Sequence, residues 1–223
     1  MRVTGVQFAK WRWNEALRWR DRLMLDASSL CVVSNDCWAG ELYQWFGRPY
    51  DTPFIGLFLM GSDYARLVSD LDHYLGKPLR FVSLSRWSPE LLDQPVNYPV
   101  GMLDDIEIHF MHYRDEFEAA LKWHRRLERF DLSQARVKVS GGKAQVDRAV
   151  LEQVLACGHA PLVLVDPMEA ELPGAVQVPG FTMNGADLFL PSAAVVNVRR
   201  WLESGEVRRP ALTPWAVRPT LAG

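Results

Sequence analysis

Short apolar runs alternate with helical patterns along most of this chain, and no other feature of the sequence constrains the fold as much. Apolar, β-rich runs too short for a typical helix occupy residues 30–34, 54–60, 79–84, 106–113, 136–140 and 161–166. Apolar residues at helical spacing predict helices at residues 41–46, 62–75, 115–130, 146–157 and 192–203. Strands that alternate with helices are typical of an α/β layered fold, so we predict a mostly parallel sheet flanked by helices.

The sequence predicts one large domain with a segment at either end. With 223 residues, 48% of them hydrophobic, the chain can bury a core without disulfides. Residues 1–29 are predicted to form a basic, tryptophan-rich helical segment, residues 30–204 the α/β domain, and residues 205–223 a proline-containing tail. Neither an internal repeat nor a linker divides the domain further.

Charge and cysteine content argue against several classes of protein. The 25 Lys and Arg residues against 27 Asp and Glu give a net charge of −2, so nothing favours general nucleic-acid binding. Three cysteines without a CxxC pair are too few for a disulfide framework and predict a reduced, intracellular protein. Since no apolar run reaches about 18 residues, we expect a cytoplasmic location, with membrane association as an alternative.

The N-terminal segment has an unusual composition. Five basic residues stand against two acids in residues 10–22, interleaved with Trp11, Trp13 and Trp19. A helix of this kind can lie on an anionic membrane surface, so peripheral membrane contact through residues 10–25 is one interpretation. The alternative is an ordinary helix that packs its tryptophans on the core and exposes its arginines to water.

The loop that follows the first predicted strand is the first candidate site. In α/β sheets the ligand crevice lies outside the carboxyl ends of the strands, which is where residues 34–40 fall. The helix that follows can offer backbone N–H groups to a phosphate or carboxylate. Cys37 is a candidate nucleophile, although Asp36 beside it opposes ionisation of the thiol. The candidate ligand-binding residues here are Ser34, Asn35, Trp38, Gly40 and Tyr43.

The run at residues 106–113 is the second candidate site. If it is a strand, one face carries Asp105, Glu107, His109, Met111 and Tyr113, and the other carries Ile106, Ile108, Phe110 and His112. Two carboxylates and an imidazole on one face can hold Mg²⁺ or Mn²⁺, or act as a general base and its orienting group. A half-exposed edge strand whose polar face meets water explains the same pattern without function.

The common catalytic fingerprints are missing from the sequence. It contains no P-loop, no GxGxxG after a strand, no HExxH and no GxSxG. The glycine-rich, basic stretch at residues 140–143 can contact a phosphate, but a plain turn is the favoured interpretation.

A family resemblance is carried by several ordered blocks, at residues 32–40, 43–44, 50–58, 63–64, 98–101, 105–113, 123 and 178–181. These blocks resemble a bacterial family of unknown function whose members are described as exopolysaccharide or capsular polysaccharide biosynthesis proteins. The loop after residue 140 departs from the family pattern, and the N-terminal segment has no counterpart in it. The resemblance implies a role in cell-surface polysaccharide synthesis, and it carries no catalytic residues over.

Three hypotheses for function follow from these sites and the resemblance. The first is a transferase that moves a sugar or modifying group from an activated donor, with His109 as base, Glu107 or Asp105 orienting it, and rings such as Trp38, Tyr43 and Tyr113 stacking on the sugar. The second is a thiol-dependent hydrolase or acyltransferase that uses Cys37 with His109 or His112. The third is a non-catalytic glycan-binding or scaffold protein.

Overall fold

A computed structural model describes residues 5–26, 30–87, 96–169 and 171–214, without the side chains of residues 5–8. The central element is a four-stranded parallel sheet in the order β1-β5-β6-β7. Its strands are β1 (Val32–Ser34), β5 (Arg136–Ser140), β6 (Leu162–Val165) and β7 (Ala175–Gln177). The predicted α/β layered fold with a parallel sheet and flanking helices is confirmed.

The sheet separates two hydrophobic cores, because successive residues of each strand point to opposite faces. Val32, Leu162 and Leu164 pack on one side, against helices α1 (Gly5–Met24), α2 (Trp38–Phe46), α7 (Gly185–Ala193) and α8 (Val198–Ser204). Val33, Val137 and Val163 pack on the other side. That second core is covered by α3 (Gly61–Ser69), α4 (Leu71–Leu75), α5 (Glu116–Leu127) and α6 (Arg148–Leu155).

A smaller antiparallel sheet adds to the second core. It consists of β2 (Arg80–Val82), β3 (Val100–Leu103) and β4 (Ile106–His109), in that order. Ile106 and Ile108 of β4 are fully buried. Both this sheet and the loop that carries Phe58 lie in the long connection between β1 and β5, and Phe58 forms a single bridge with His109.

The structure corrects several predicted boundaries. The run at residues 54–60 is irregular apart from the bridge at Phe58, because Gly56 takes a positive φ of 74°. The predicted helix at 62–75 is two helices, and the side chain of Asp70 accepts the first-turn N–H of His73 in the second. The predicted helix at 192–203 is likewise interrupted before α8, which Asn197 caps.

The N-terminal helix α1 packs on the domain through the face that carries Leu17. Leu17 is 3% exposed and packs with α2 and α7, whereas Trp11 and Trp19 are 59% and 67% exposed. The alternative in which the tryptophans pack on the core therefore does not hold for these two rings. None of the helices described here is long and apolar enough to cross a membrane.

Candidate functional site

The carboxyl ends of β1 and β5 meet at one edge of the parallel sheet, as the sequence predicted for the loop after β1. Asn35 ties these ends together: its amide oxygen accepts the Ser140 N–H at 3.1 Å, and its Nδ2 donates to the Ser140 carbonyl at 3.3 Å. Ser34 and Asn35 are buried in this junction. They position the loop that leads into α2.

Asp36 forms a buried ion pair at this edge. Its Oδ1 lies 2.7 Å from Lys138 Nζ on β5, and its Oδ2 lies 3.0 Å from Lys143 Nζ in the loop after β5. Burial raises the pKa of Asp36, but the two ammonium groups outweigh that effect and hold the pKa well below its usual range. Burial also lowers the pKa of Lys138 to about 8, although Asp36 opposes the shift. Asp36 is therefore ionised and fixed in place.

Cys37 directly follows this ion pair and occupies the N-cap position of α2. Its Sγ lies 3.3 Å from Nε2 of His112, which stands 75 residues further along the chain. The thiol is half-buried and the imidazole is exposed, so the pair is open to solvent. Of the two histidines predicted as partners of Cys37, the structure places His112 beside it.

His112 is positioned by the loop that contains Gly56. The His112 N–H donates to the Gly56 carbonyl at 3.1 Å. A Cβ at Gly56 would lie 3.2 Å from the Cβ of His112, and the positive φ of 74° also favours glycine. The close approach of this backbone places the imidazole above the start of α2.

Two effects determine how readily Cys37 ionises. Burial and then the negative charge of Asp36 raise the pKa of the thiol, whereas Lys143 and Lys138 lower it. The net shift is upward, so the resting form at neutral pH is the thiol. Cys37 therefore needs a base to become a nucleophile. His112 Nε2, at 3.3 Å from Sγ, is close enough to accept the proton of the thiol.

The loop after β5 carries backbone strain next to this pair. Ala144 and Gln145 both have positive φ values, 49° and 57°. Non-glycine residues in this region cost energy and cluster at functional sites. The loop also aims Lys143 at Asp36 and at the Met183 carbonyl, which lies 2.7 Å away. The predicted plain turn is therefore a strained turn that holds a charge beside the thiol.

Glu107 and His109 form a second, closed cluster on β4. Glu107 Oε1 lies 3.0 Å from His109 Nε2, so these two side chains share one face of the strand as their spacing predicted. The two side chains are 1% and 0% exposed. The His109 ring stacks on Phe58 at 4.4 Å and lies 3.4 Å from the Tyr98 hydroxyl. Glu107 also accepts the Ser85 hydroxyl and the Arg86 N–H, and these contacts together with His109 lower its pKa despite burial.

The predicted polar face of this strand extends only from Glu107 to His109. Asp105 lies in the turn before β4, where it accepts the Tyr74 hydroxyl at 2.9 Å and pairs with Arg66 at 2.6 Å. Tyr113 follows the strand and is 7% exposed. The shared face predicted for Asp105, Glu107, His109 and Tyr113 is wrong at both ends. The described part of the chain contains no group of three His, Cys, Asp or Glu residues that could hold a metal ion.

The aromatic residues proposed to stack on a sugar are inside the protein. Trp38 and Tyr43 are fully buried, and Trp38 packs on Phe189 and donates to the Ser192 hydroxyl at 2.9 Å. Their rings have no face open to a ligand, so the structure gives them a packing role. Gly40, the last residue predicted in this loop, lies half-buried in the first turn of α2.

Two buried charged residues, Lys138 and Asp63, were not predicted as functional residues from the sequence. Lys138 stands in the middle of β5 and is fully buried. A lysine within the apolar run of a parallel strand is the sequence signal for such a buried charge, because both faces of the strand are covered. Asp63, in the first turn of α3, is fully buried and pairs with Arg66 at 2.7 Å and with Arg86. It also accepts Trp87 Nε1 at 3.1 Å. Asp63 belongs to one of the short blocks that carry the family resemblance.

The fold and the site define a layered α/β protein with a thiol–imidazole pair at the carboxyl edge of its parallel sheet. A family model for a domain of unknown function, DUF1919, matches residues 9–183, and the chain belongs to that family. An uncharacterised protein of Haemophilus influenzae (strain ATCC 51907 / DSM 11121 / KW20 / Rd) is 36% identical over 108 residues, which is 48% of each chain. This chain thus aligns with about half the length of that relative.

Proposed function

We propose that this protein is a thiol-dependent acyl-transfer enzyme, a hydrolase or an acyltransferase, with Cys37 as nucleophile and His112 as general base. The observation that carries the proposal is the 3.3 Å contact between Cys37 Sγ and His112 Nε2. This contact joins a cysteine at a strand-to-helix junction with a solvent-exposed histidine, which are the two groups that acyl transfer through a thioester requires.

The proposed reaction uses His112 as the proton carrier in both half-reactions. His112 Nε2 takes the proton of the Cys37 thiol, and the thiolate attacks the carbonyl carbon of an ester. The carbon–oxygen bond to the leaving alcohol then breaks, and the imidazolium returns the proton to that alcohol. Water or an acceptor hydroxyl, deprotonated by His112, attacks the resulting thioester and releases the Cys37 thiol.

The two ammonium groups near Cys37 favour the thiolate, whereas burial and the carboxylate of Asp36 favour the resting thiol. Lys143 and Lys138 lower the pKa of the thiol, so they stabilise the thiolate as it forms. Burial and Asp36 keep the resting group protonated. The thiol is therefore stable between turnovers and reacts when His112 removes its proton.

The family resemblance suggests the substrate class. A role in surface-polysaccharide synthesis is consistent with acyl groups carried as esters on a sugar or on its activated precursor. An activated sugar donor or a glycan is the proposed partner in that setting.

A sugar transferase that uses His109 has less support. His109 is fully buried between Phe58 and Tyr98, and Glu107 is satisfied by Ser85 and Arg86. A substrate could reach this imidazole only if the ring stack opened. The arrangement is typical of a buried polar pair that stabilises the fold.

The test is covalent labelling and turnover with p-nitrophenyl acetate as the acyl donor. We expect a burst of p-nitrophenol, a mass gain of one acetyl group, and the acetyl group on the Cys37 peptide. Cys37→Ser should abolish the labelling of that peptide, and His112→Gln should slow acylation by about 10²-fold or more.

Cys157→Ser is the matched control, because Cys157 is also a half-buried free cysteine whose pKa burial raises. It should leave the burst unchanged. Equal acylation of Cys37 in the wild type and in His112→Gln would overturn the proposal. Glycan binding without any acylation would favour the non-catalytic alternative.

A further inference from the structure

We propose that the outer face of α1 binds the surface of an anionic phospholipid bilayer. This inference is independent of the acyl-transfer chemistry. It starts from the two different faces that α1 presents.

The inward face of α1 accounts for its attachment to the domain. Leu17 is 3% exposed and packs in the core between the sheet, α2 and α7. Asp21 accepts Trp45 Nε1 at 2.9 Å, and Arg22 donates to the Trp45 carbonyl at 2.9 Å. These contacts attach the helix to the domain through the side that carries Leu17.

The outward face of α1 exposes large apolar side chains among its charged ones. Ala16, Trp19 and Leu23 follow each other at spacings of three and four residues, so they form one stripe. Trp19 is 67% exposed and Leu23 is 65% exposed. Trp11, 59% exposed, lies near the amino-terminal end of the same helix.

The charge of the helix complements an anionic surface. α1 carries five basic residues against two acids, in a chain whose net charge is −2. Both acids are already paired within the helix, Glu15 with Arg18 at 2.9 Å and Asp21 with Arg20 at 2.6 Å. The excess positive charge therefore lies on the element that exposes the tryptophans.

This combination fits a lipid headgroup region better than it fits water. Tryptophan rings favour the boundary between headgroups and acyl chains, and basic residues near a cytoplasmic leaflet gain from its negative potential. A helix with these two properties lies in the plane of the membrane surface. Bound in this way, α1 would hold the domain on the membrane through its N-terminal side.

The test is co-sedimentation of the full chain with vesicles of phosphatidylcholine alone or with about 30% phosphatidylglycerol. We expect binding to the anionic vesicles, weaker binding to the neutral ones, and a decrease as salt rises. The double variant Trp19→Ser/Leu23→Ser should weaken binding at least about tenfold, because two large apolar groups are lost.

Leu84→Ser is the matched control, since Leu84 is 82% exposed and lies just after β2. It should bind like the wild type, and thermal unfolding should show that all variants are folded. Unchanged binding of the double variant, or no binding to anionic vesicles, would overturn the proposal. So would a dimer in vesicle-free solution that the double variant dissociates, because the face would then join two copies of the chain.

Discussion

Cys37 lies where burial and charge have opposite effects on one thiol. Burial and the carboxylate of Asp36 raise its pKa, and the ammonium groups of Lys143 and Lys138 lower it. Lys143 reaches this position from a strained loop, whereas Lys138 is fixed inside β5. The pKa of this thiol therefore depends on the loop after β1, on β5 and on the loop after β5.

The charge of Lys143 should be measurable in the labelling of Cys37. We expect iodoacetamide to label Cys37 slowly at neutral pH and faster as the pH rises, since only the thiolate reacts. Lys143→Ala removes a positive charge that lowers the pKa of the thiol, so the profile of rate against pH should move to higher pH. Lys122→Ala is the control, because Lys122 pairs with Glu118 on α5. An identical profile for Lys143→Ala would contradict the assigned effect.

The pair of Asp36 and Lys138 should show strong coupling in stability. Removing one partner leaves the other charged and buried, so Asp36→Asn and Lys138→Met should each destabilise by about 3–5 kcal/mol. The double variant should cost clearly less than the sum, because no uncompensated charge is left. Urea unfolding followed by circular dichroism measures all three. Additive losses would show that Lys143 alone satisfies Asp36 in the absence of Lys138.

The contact between Cys37 and His112 depends on two segments that come from different parts of the fold. The loop after β1 carries Cys37, and the segment after β4 carries His112, which rests on the loop containing Gly56. The bridge between Phe58 and His109 joins the Gly56 loop to β4 and so fixes where the segment after β4 begins. A small shift of the Gly56 loop should therefore move the imidazole away from the thiol.

Gly56→Ala tests this dependence. The added Cβ meets His112 at 3.2 Å, so we expect slower acylation of Cys37 and a loss of about 1 kcal/mol in stability. Gly158→Ala is a matched control, because its φ of 78° imposes the same backbone strain while nothing lies within 4 Å of the new Cβ. It should lose similar stability and keep the acylation rate. Equal loss of acylation in both variants would contradict a positioning role for the Gly56 loop.

Local patterns predict most elements of this fold, because their causes are local. The helix at α5 begins at Asp115, whose side chain accepts the Glu118 N–H, and its acids and bases follow the helix dipole as the sequence indicates. The interruptions before α4 and α8 could also have been predicted, since Asp70 and Asn197 are helix-capping residues within apolar patterns.

The candidate site was only partly predictable. The loop after β1 follows from the rule for carboxyl edges of parallel sheets, and the contact of Glu107 with His109 follows from their spacing on one strand. The partner of Cys37 does not follow from any local rule. His112 contacts Cys37 because the segment after β4 packs on the Gly56 loop. The spacing of residues along the sequence carries no information about that contact.

For the whole molecule, the parallel sheet separates two hydrophobic cores, and buried carboxylate networks lie beside them. Asp36 is paired at the sheet edge, and Glu107 is hydrogen-bonded beside the second core. The pKa of each carboxyl is lowered, Asp36 by the two lysines and Glu107 by His109, Arg86 and Ser85, in both cases against the effect of burial. Both networks thus stabilise the same cooperative unit through ionised carboxylates.

The protein should therefore lose stability in acid. A carboxyl group whose pKa is lowered on folding contributes stability that is complete above its unfolded pKa of about 4 and is lost as the pH falls towards its folded pKa. We expect the free energy of unfolding to fall by at least about 2 kcal/mol between pH 7 and pH 3, measured by urea unfolding. Glu107→Gln should be less stable at pH 7 and lose less on acidification, because one of the titrating groups is gone. A free energy of unfolding that stays constant from pH 7 to pH 3 would contradict the ionised state of both networks.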